Sequence, residues 1–323
     1  MSSLTRTLPA SWFCNPAMYQ LERRAVFFKS WHFLGPVTRF QDRSSPVVYE
    51  IAQVILIVEN LSEASEDINT DGIVVRSKDN SVSIRSHITP SGLVFATLSL
   101  DTPPFSEFFK GLEELTNKVD FTKLPHRRSI SYEGRFNWKT MIDGFQECLH
   151  CQYTHPTFSK FYPPTFYSVQ NHSNFSEHVV DPTKDSDGLF LYFYPICTLN
   201  VYGGGMSSFR SLPSTNPGVT RMEFDYYHSG TEEEFEEYFK FVRQVAMEDF
   251  ELCEVAQANM ERGIYGQGIL NPEKERGVAF YQQQVRKAVR AQFEKEKALR
   301  LPEGLAKTKP LSHRCYKQPQ LVA

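Results

Sequence analysis

The sequence predicts an α+β chain in which a sheet of antiparallel strands carries helices, with a small all-β unit ahead of it. Three observations lead there. Between residues 47 and 98, short β-branched runs alternate with polar loops. Between 189 and 227, four more strand-like runs follow one another across tight turns, the pattern of an antiparallel meander. From Thr231 a long helix begins on a capping box, Thr231-Glu232-Glu233-Glu234, with its acids at the positive end of the helix dipole.

In chain order, Leu8 to Phe13 reads as extended, and Tyr19 to Phe27 as a short helix ending near Trp31. Strands are expected at Val47–Ile51, Val54–Val58, Ile73–Val75, Val82–Ile84 and Leu93–Leu98, with a polar loop from Ser62 to Asp71. Asp101-Thr102-Pro103-Pro104 breaks this pattern, and Phe105 to Leu115 suggests a short helix near a boundary. The chain then divides into 1–40 (extension and helix), 41–115 (β unit) and 116–323 (catalytic region). Phe161 to Pro164 and the polar run Asn171 to Asp187 read as irregular structure over a site. Strands follow at Leu189–Tyr194, Thr198–Tyr202, Met206–Arg210 and Thr220–Tyr227; Gly203-Gly204-Gly205 marks a hairpin turn, since no Gly-Lys-Ser/Thr follows to cradle a phosphate. Glu273 to Leu301 is a last amphipathic helix with Phe280, Val285, Ala288, Val289 and Phe293 apolar, and Lys307 to Ala323 a loose tail.

With 323 residues the chain can bury a large core. Its 35 Lys and Arg against 38 Asp and Glu give a net charge of −3, which offers no footing for nucleic acid. Met1 to Arg6 lacks the apolar run of a signal peptide, and no stretch reaches the length of a membrane span, so a soluble cytoplasmic protein is expected. Six scattered cysteines do not suggest a disulfide framework.

The chemistry concentrates between Asn137 and His155. Trp138, Met141, Ile142, Phe145 and Leu149 fall at helical spacing and would seat one face, while Asp143, Glu147 and His150 share a neighbouring stripe. His155 lies about 140° from His150 on an ideal helix, so both can face one point only if the helix loosens or ends between them; Pro156 favours an end. A third group comes from the long helix, whose stripe of Phe235, Tyr238, Phe239, Val242, Val245, Ala246, Leu252, Cys253 and Ala256 includes Asp249. A carboxylate facing a core must be paired or bind metal. Either an Arg or Lys neutralises Asp249, or it joins His150 and His155 in a two-histidine, one-carboxylate triad suited to mononuclear Fe(II). Glu248 and Glu251 sit off the stripe and read as solvated. A structural zinc site of Cys148, His150, Cys151 and His155 is geometrically awkward, because four ligands would crowd into eight residues. His172, His178, His228 and His313 read as surface or satisfied residues.

Asn137-Trp138-Lys139, an acid at Asp143, Glu147-Cys148-Leu149-His150 and a second histidine five residues on together resemble the iron site of Rieske non-haem iron oxygenases, most closely the fungal choline-monooxygenase-like branch. The resemblance runs from about Leu8 onward and implies a helix-grip-like catalytic domain. It implies metal ligands His150, His155 and Asp249, the last within Glu248-Asp249, Leu252-Cys253 and Gln257. Glu147 matches the acid that in the family links the iron to a neighbouring subunit's cluster; here it could orient His150, act as acid or base, or simply persist. Asn137 and Asp143 match supporting positions, and Cys148 and Cys151 match cysteines without metal duty, hence packing residues.

A Rieske cluster needs Cys-x-His and Cys-x-x-His loops. Before Asn137 the chain has only Cys14, His32, His87 and His126, at no such spacing. The β unit is therefore read as a truncated Rieske-like domain without its 2Fe-2S centre, or as the trace of a gene model that skipped an exon. The function expected is an Fe(II) oxidoreductase acting on a small organic metabolite with O2, its electrons drawn from the substrate or an external donor. The alternatives are a hydrolase, isomerase or cyclase using the metal as Lewis acid, and an inactive paralogue paired with an intact subunit. Phe and Tyr suit the quaternary amines of the resembled branch or an apolar metabolite equally. The family's trimer brings cluster to iron, so a homo-oligomer here loses that reason.

Overall fold

The computed structural model describes residues 4–61, 72–79, 82–163, 167–179 and 188–299. The Ser62 to Asp71 loop, Pro164, residues 180–187, the Lys307 to Ala323 tail, His313 and Cys315 lie outside them. Helices α1 (Ser11–Cys14) and α2 (Pro16–Ala25) open the chain, α2 capped by the Asn15 side chain with Pro16 in its first turn. The helix expected to reach Trp31 stops at Ala25, because Trp31 already begins the fully buried strand β1 (Trp31–Pro36). Next come β2 (Val47–Ile51), β3 (Val54–Asn60), β4 (Ile73–Ser77), β5 (Arg85–Ile88) and β6 (Leu93–Thr97). They form two three-stranded sheets, β2-β3-β4 and β1-β6-β5, so the first strand of the second sheet comes from the N-terminal extension. The strand expected at Val82–Ile84 starts three residues later, since the Ser77 hydroxyl donates to the Val82 carbonyl and holds a turn there.

The helix expected over Phe105 to Leu115 is two, α3 (Phe105–Phe108) and α4 (Leu112–Thr116), separated at Gly111, whose φ of 87° is open to glycine. Beyond them, β7 (His126–Gly134) was hidden in the sequence by its charged first half. Helices α5 (Trp138–Phe145), α6 (Cys151–Thr154) and α7 (Phe158–Phe161) precede β8 (Ser168–Asn171), for most of which no element was expected, and β9 (Phe175–Val179), a strand where irregular structure was expected. Strands β10 (Leu189–Phe193), β11 (Cys197–Tyr202), β12 (Gly205–Pro213) and β13 (Thr220–His228) complete a seven-stranded antiparallel sheet in the order β7-β13-β12-β11-β10-β9-β8. Gly203 and Gly204, both at positive φ, make the expected β11–β12 turn. The capping box forms, and α8 (Glu232–Glu261) follows; α9 (Arg276–Ala298) is shorter than expected at both ends and leaves Phe293 half exposed. Among the described residues no helix is long and apolar enough to cross a membrane.

α5 and α8 pack on each other and on β12, so two helices grip one face of the large sheet. The sheet meets the small unit through edge-to-face aromatics: Phe193 of β10 lies 5.4 Å from both Phe33 and Phe95. Behind the sheet, the Arg210 guanidinium donates to Asp225 at 2.6 Å and to Glu223 at 3.2 Å while lying over the Tyr49 ring of β2. Although burial opposes its charge, Arg210 holds the Asp225 carboxyl well below the usual carboxylate range.

The start of α5 is fixed by a buried ion pair. Lys139 Nζ meets Glu22 Oε1 at 2.8 Å and Trp138 Nε1 donates to Glu22 Oε2 at 2.9 Å, with neither charged side chain exposed. Replacing Lys139 by Met strands the Glu22 charge and should cost about 3–5 kcal/mol in urea unfolding. Adding Glu22→Gln should return much of that loss.

Candidate metal centre

The segment from Asn137 to His155 is not one helix. α5 ends at Phe145, and from Gln146 to His150 the chain turns before α6. The stripe expected to align Asp143, Glu147 and His150 is therefore broken, and Leu149, expected in the core, is 41% exposed. Two clasps make the turn: Glu147 accepts the Leu149 N–H and the His150 Nδ1 proton, and Cys148 is bonded to Cys151, their Cα atoms 5.0 Å apart. The cysteines read as simple packing residues are thus a disulfide.

The early turn solves the angular problem noted from spacing. His150 precedes α6 and His155 caps its end, and both rings face α8. Asp249 Oδ1 lies 2.9 Å from His155 Nε2 and 3.2 Å from His150 Nε2, and one donor atom from each residue falls within 4.8 Å of the others. Glu248, expected in solvent, instead bonds His155 Nδ1 at 2.8 Å. Each imidazole is thereby held at Nδ1 by a glutamate and offers Nε2 to the shared point, the carboxylate-histidine arrangement that orients metal ligands. Leu252, placed on the inner stripe by periodicity, is 43% exposed.

Burial works against charge on both rings, yet hydrogen bonds outweigh it: His150, beside Asp249 and Glu147, is raised to about 10, and His155 also rises. Burial likewise opposes the Asp249 charge, but the two imidazoles bring its carboxyl below the ordinary value. No Arg or Lys pairs with Asp249 in the ion pairs of the described residues.

Of the supporting residues, Asn137 is structural. Its side chain caps α5 by accepting from Lys139 N and donating to the Pro217 carbonyl at 2.7 Å, and its own N–H donates to Gln257 Oε1. Asp143 points to α9, where the Tyr281 hydroxyl and Gln282 Nε2 donate to it. His178, read as a surface or satisfied residue, is satisfied at both ring nitrogens, but its place at the site was not foreseen. It lines the cavity beside the triad, accepting from Tyr167 OH at 2.7 Å and donating to Gln146 Oε1 at 2.8 Å, and burial pushes its pKa down to about 3. Polar neighbours concealed its strand, and no spacing signal marked it.

The cavity holds about 130 Å³. Phe145, Phe158, Tyr162, Phe190, Tyr202 and Phe209 form much of its wall, and no Lys or Arg lines it among the described residues. Residues 121–180 and 175–291 match the family described as the ring hydroxylating alpha subunit, catalytic domain. The chain belongs to that family. Its relatives include the carnitine monooxygenase oxygenase subunit of Acinetobacter pittii (strain PHEA-2), 26% identical over 245 residues, 66% of this chain and 65% of that protein. The same subunit of Escherichia coli (strain K12) is 29% identical over 149 residues, 41% and 40% of the two chains. The match thus spans just under two thirds of the longer-matching relative. Among solved structures, the quaternary ammonium Rieske monooxygenase CntA with L-carnitine superposes at a TM-score of 0.73 with 18% identity, covering 88% of this chain and 96% of that one. Naphthalene 1,2-dioxygenase from Rhodococcus sp. gives 0.63 with 13% identity over 88% and 94%. The chain therefore has the α+β fold of Rieske oxygenase alpha subunits.

Burial raises Asp143 to about 7 against the hydrogen bonds that lower it. Between pH 4 and 7 the native state therefore keeps a proton that the unfolded chain has lost, and stability falls as pH rises through that window. From pH 5 to pH 8, wild type should lose about 2–4 kcal/mol more unfolding free energy than Asp143→Asn, whose side chain does not titrate.

Proposed function

We propose that this chain is a mononuclear non-haem Fe(II) oxygenase acting on a small organic substrate with O2, with His150, His155 and Asp249 as the metal ligands. One observation carries the reading: two imidazole Nε2 atoms converge on one carboxylate oxygen while Glu147 and Glu248 hold both Nδ1 atoms. Two neutral nitrogens and one carboxylate fit Fe(II) and leave coordination positions free; when bound, the ion supplies the redox chemistry with O2. All three donors come from one chain, so the site needs no second copy to be complete.

The protein's own groups do the rest. Glu147 and Glu248 keep the Nδ1 proton on each ring, which frees the Nε2 lone pair for metal. The aromatic wall excludes water and suits an apolar body or a quaternary ammonium face, in line with the names of the carnitine-oxidising relatives. No Lys or Arg lines the cavity among the described residues, so a substrate anion would find positive charge only at the metal centre itself. The cluster-free part of the proposal is supported by the N-terminal candidates: His32 bonds the Phe27 carbonyl, His87 pairs with Glu113, His126 bonds Ser129 and Cys14 lies by Gln257. Electrons must then enter otherwise than through an internal cluster.

Protein purified without oxygen should bind about one Fe per chain, measured by elemental analysis, with no 2Fe-2S absorbance. Asp249→Ala should lose the metal, and Glu248→Ala should weaken it about 10–100-fold. Zinc in place of iron in the native protein, with no oxygen uptake, would turn the reading to Lewis-acid chemistry.

A further inference from the structure

The Cys148–Cys151 bond closes a loop with a sequence separation of 3, the least that a cross-link can gain by restricting an unfolded chain. Its position is more telling than its reach. Both half-cystines are buried, at 8% and 6% exposure, and both line the same cavity as His150, His155 and Asp249. His150 is enclosed in the loop and directly precedes Cys151, so the pair lies within two residues of a proposed metal ligand. The other described cysteines, Cys14, Cys197 and Cys253, are free thiols; burial and neighbouring carboxylates raise Cys14 and Cys253, and burial raises Cys197. The turn does not depend on the sulfur bond alone. Glu147 accepts from Leu149 N and His150 Nδ1, a second clasp that remains when the sulfurs separate.

We propose that Cys148 and Cys151 form a two-electron redox centre of the site, opened by a thiol reductant and closed by O2 at the metal centre. This rests on the iron oxygenase reading above. Adding one atom of O2 to a C–H bond requires two electrons and two protons beyond those of the substrate, and the pair can supply them. Opening consumes two thiols: the protein disulfide plus 2 RSH gives the protein dithiol plus RSSR, each protein sulfur gaining one electron and one proton. Closing reverses this change at the protein. The dithiol forms its S–S bond and releases two electrons and two protons; one oxygen atom becomes the substrate hydroxyl and the other leaves as water. Without substrate, the same two electrons and two protons convert O2 to H2O2.

The test uses full-length protein and O2 alone as the probe. Wild type loaded with Fe(II), metal-free wild type and Asp249→Ala mixed with equimolar Fe(II) are treated with dithiothreitol under anaerobic conditions and desalted. They are then exposed to air-saturated buffer, and iodoacetamide labelling at successive times is located by mass spectrometry. Before air, Cys148 and Cys151 should both be labelled in all three native samples. After air, the pair should close at least tenfold faster in iron-loaded wild type than in the other two, with stoichiometric H2O2 and no change in labelling of Cys14. Resistance of the native pair to dithiothreitol overturns the proposal, as does closure at one common rate, which would be ordinary thiol autoxidation. Failure of wild type to hold iron appears in its metal content before any thiol is counted and removes the reading beneath the proposal. Normal iron content with no thiol cycling removes the redox centre alone.

Discussion

The site depends on one carboxylate facing inward from α8. A charge among Val242, Ala246 and Cys253 is costly unless something meets it, and the fold meets it with two imidazoles from the turn after α5. Much of the local architecture serves that meeting. α5 must end at Phe145 to let the chain double back, α6 must be short enough to bring His155 beside His150, and α5 and α8 must both sit on β12. Glu147 and Glu248 then decide which nitrogen each ring turns toward that point.

The two helices can be placed this firmly because the sheet beneath them is braced from behind. Arg210 and Asp225 lie back to back with the cavity wall on β12 and β13, and Tyr49 of the small β unit packs against that guanidinium. The N-terminal unit thus acts as a buttress to the catalytic sheet, whatever else it does. Glu22 of α2 extends the brace to the other end of α5, where Lys139 and Trp138 converge on it.

Where residue chemistry and period agreed, the sequence was legible. Asp249 betrayed itself as a charge on an apolar stripe, the capping box announced α8, and the alternation of Thr220 to Tyr227 announced β13. Failures came where tertiary contacts override local pattern. α5 was extended too far because Leu149 continues its apolar spacing, whereas the clasp on Glu147 and the Cys148–Cys151 bond turn the chain. Glu248 looked solvated because its helical angle lies off the stripe, and only the position of His155 shows what it reaches. β7 escaped because it opens on His126, Arg127 and Arg128, and β9 because Ser176 and His178 on it are buried against hydrogen-bond partners rather than apolar neighbours.

The lack of Lys and Arg along the described cavity wall also fixes where positive charge can sit in the cavity. Among the described lining residues that leaves the imidazoles, and His150, held up by Asp249 and Glu147, carries the charge at neutral pH when no metal is bound. Filling the centre would therefore exchange protons for an ion beside the same aromatic faces, so the charge a guest meets there would be set by occupancy of the site rather than by a fixed basic side chain.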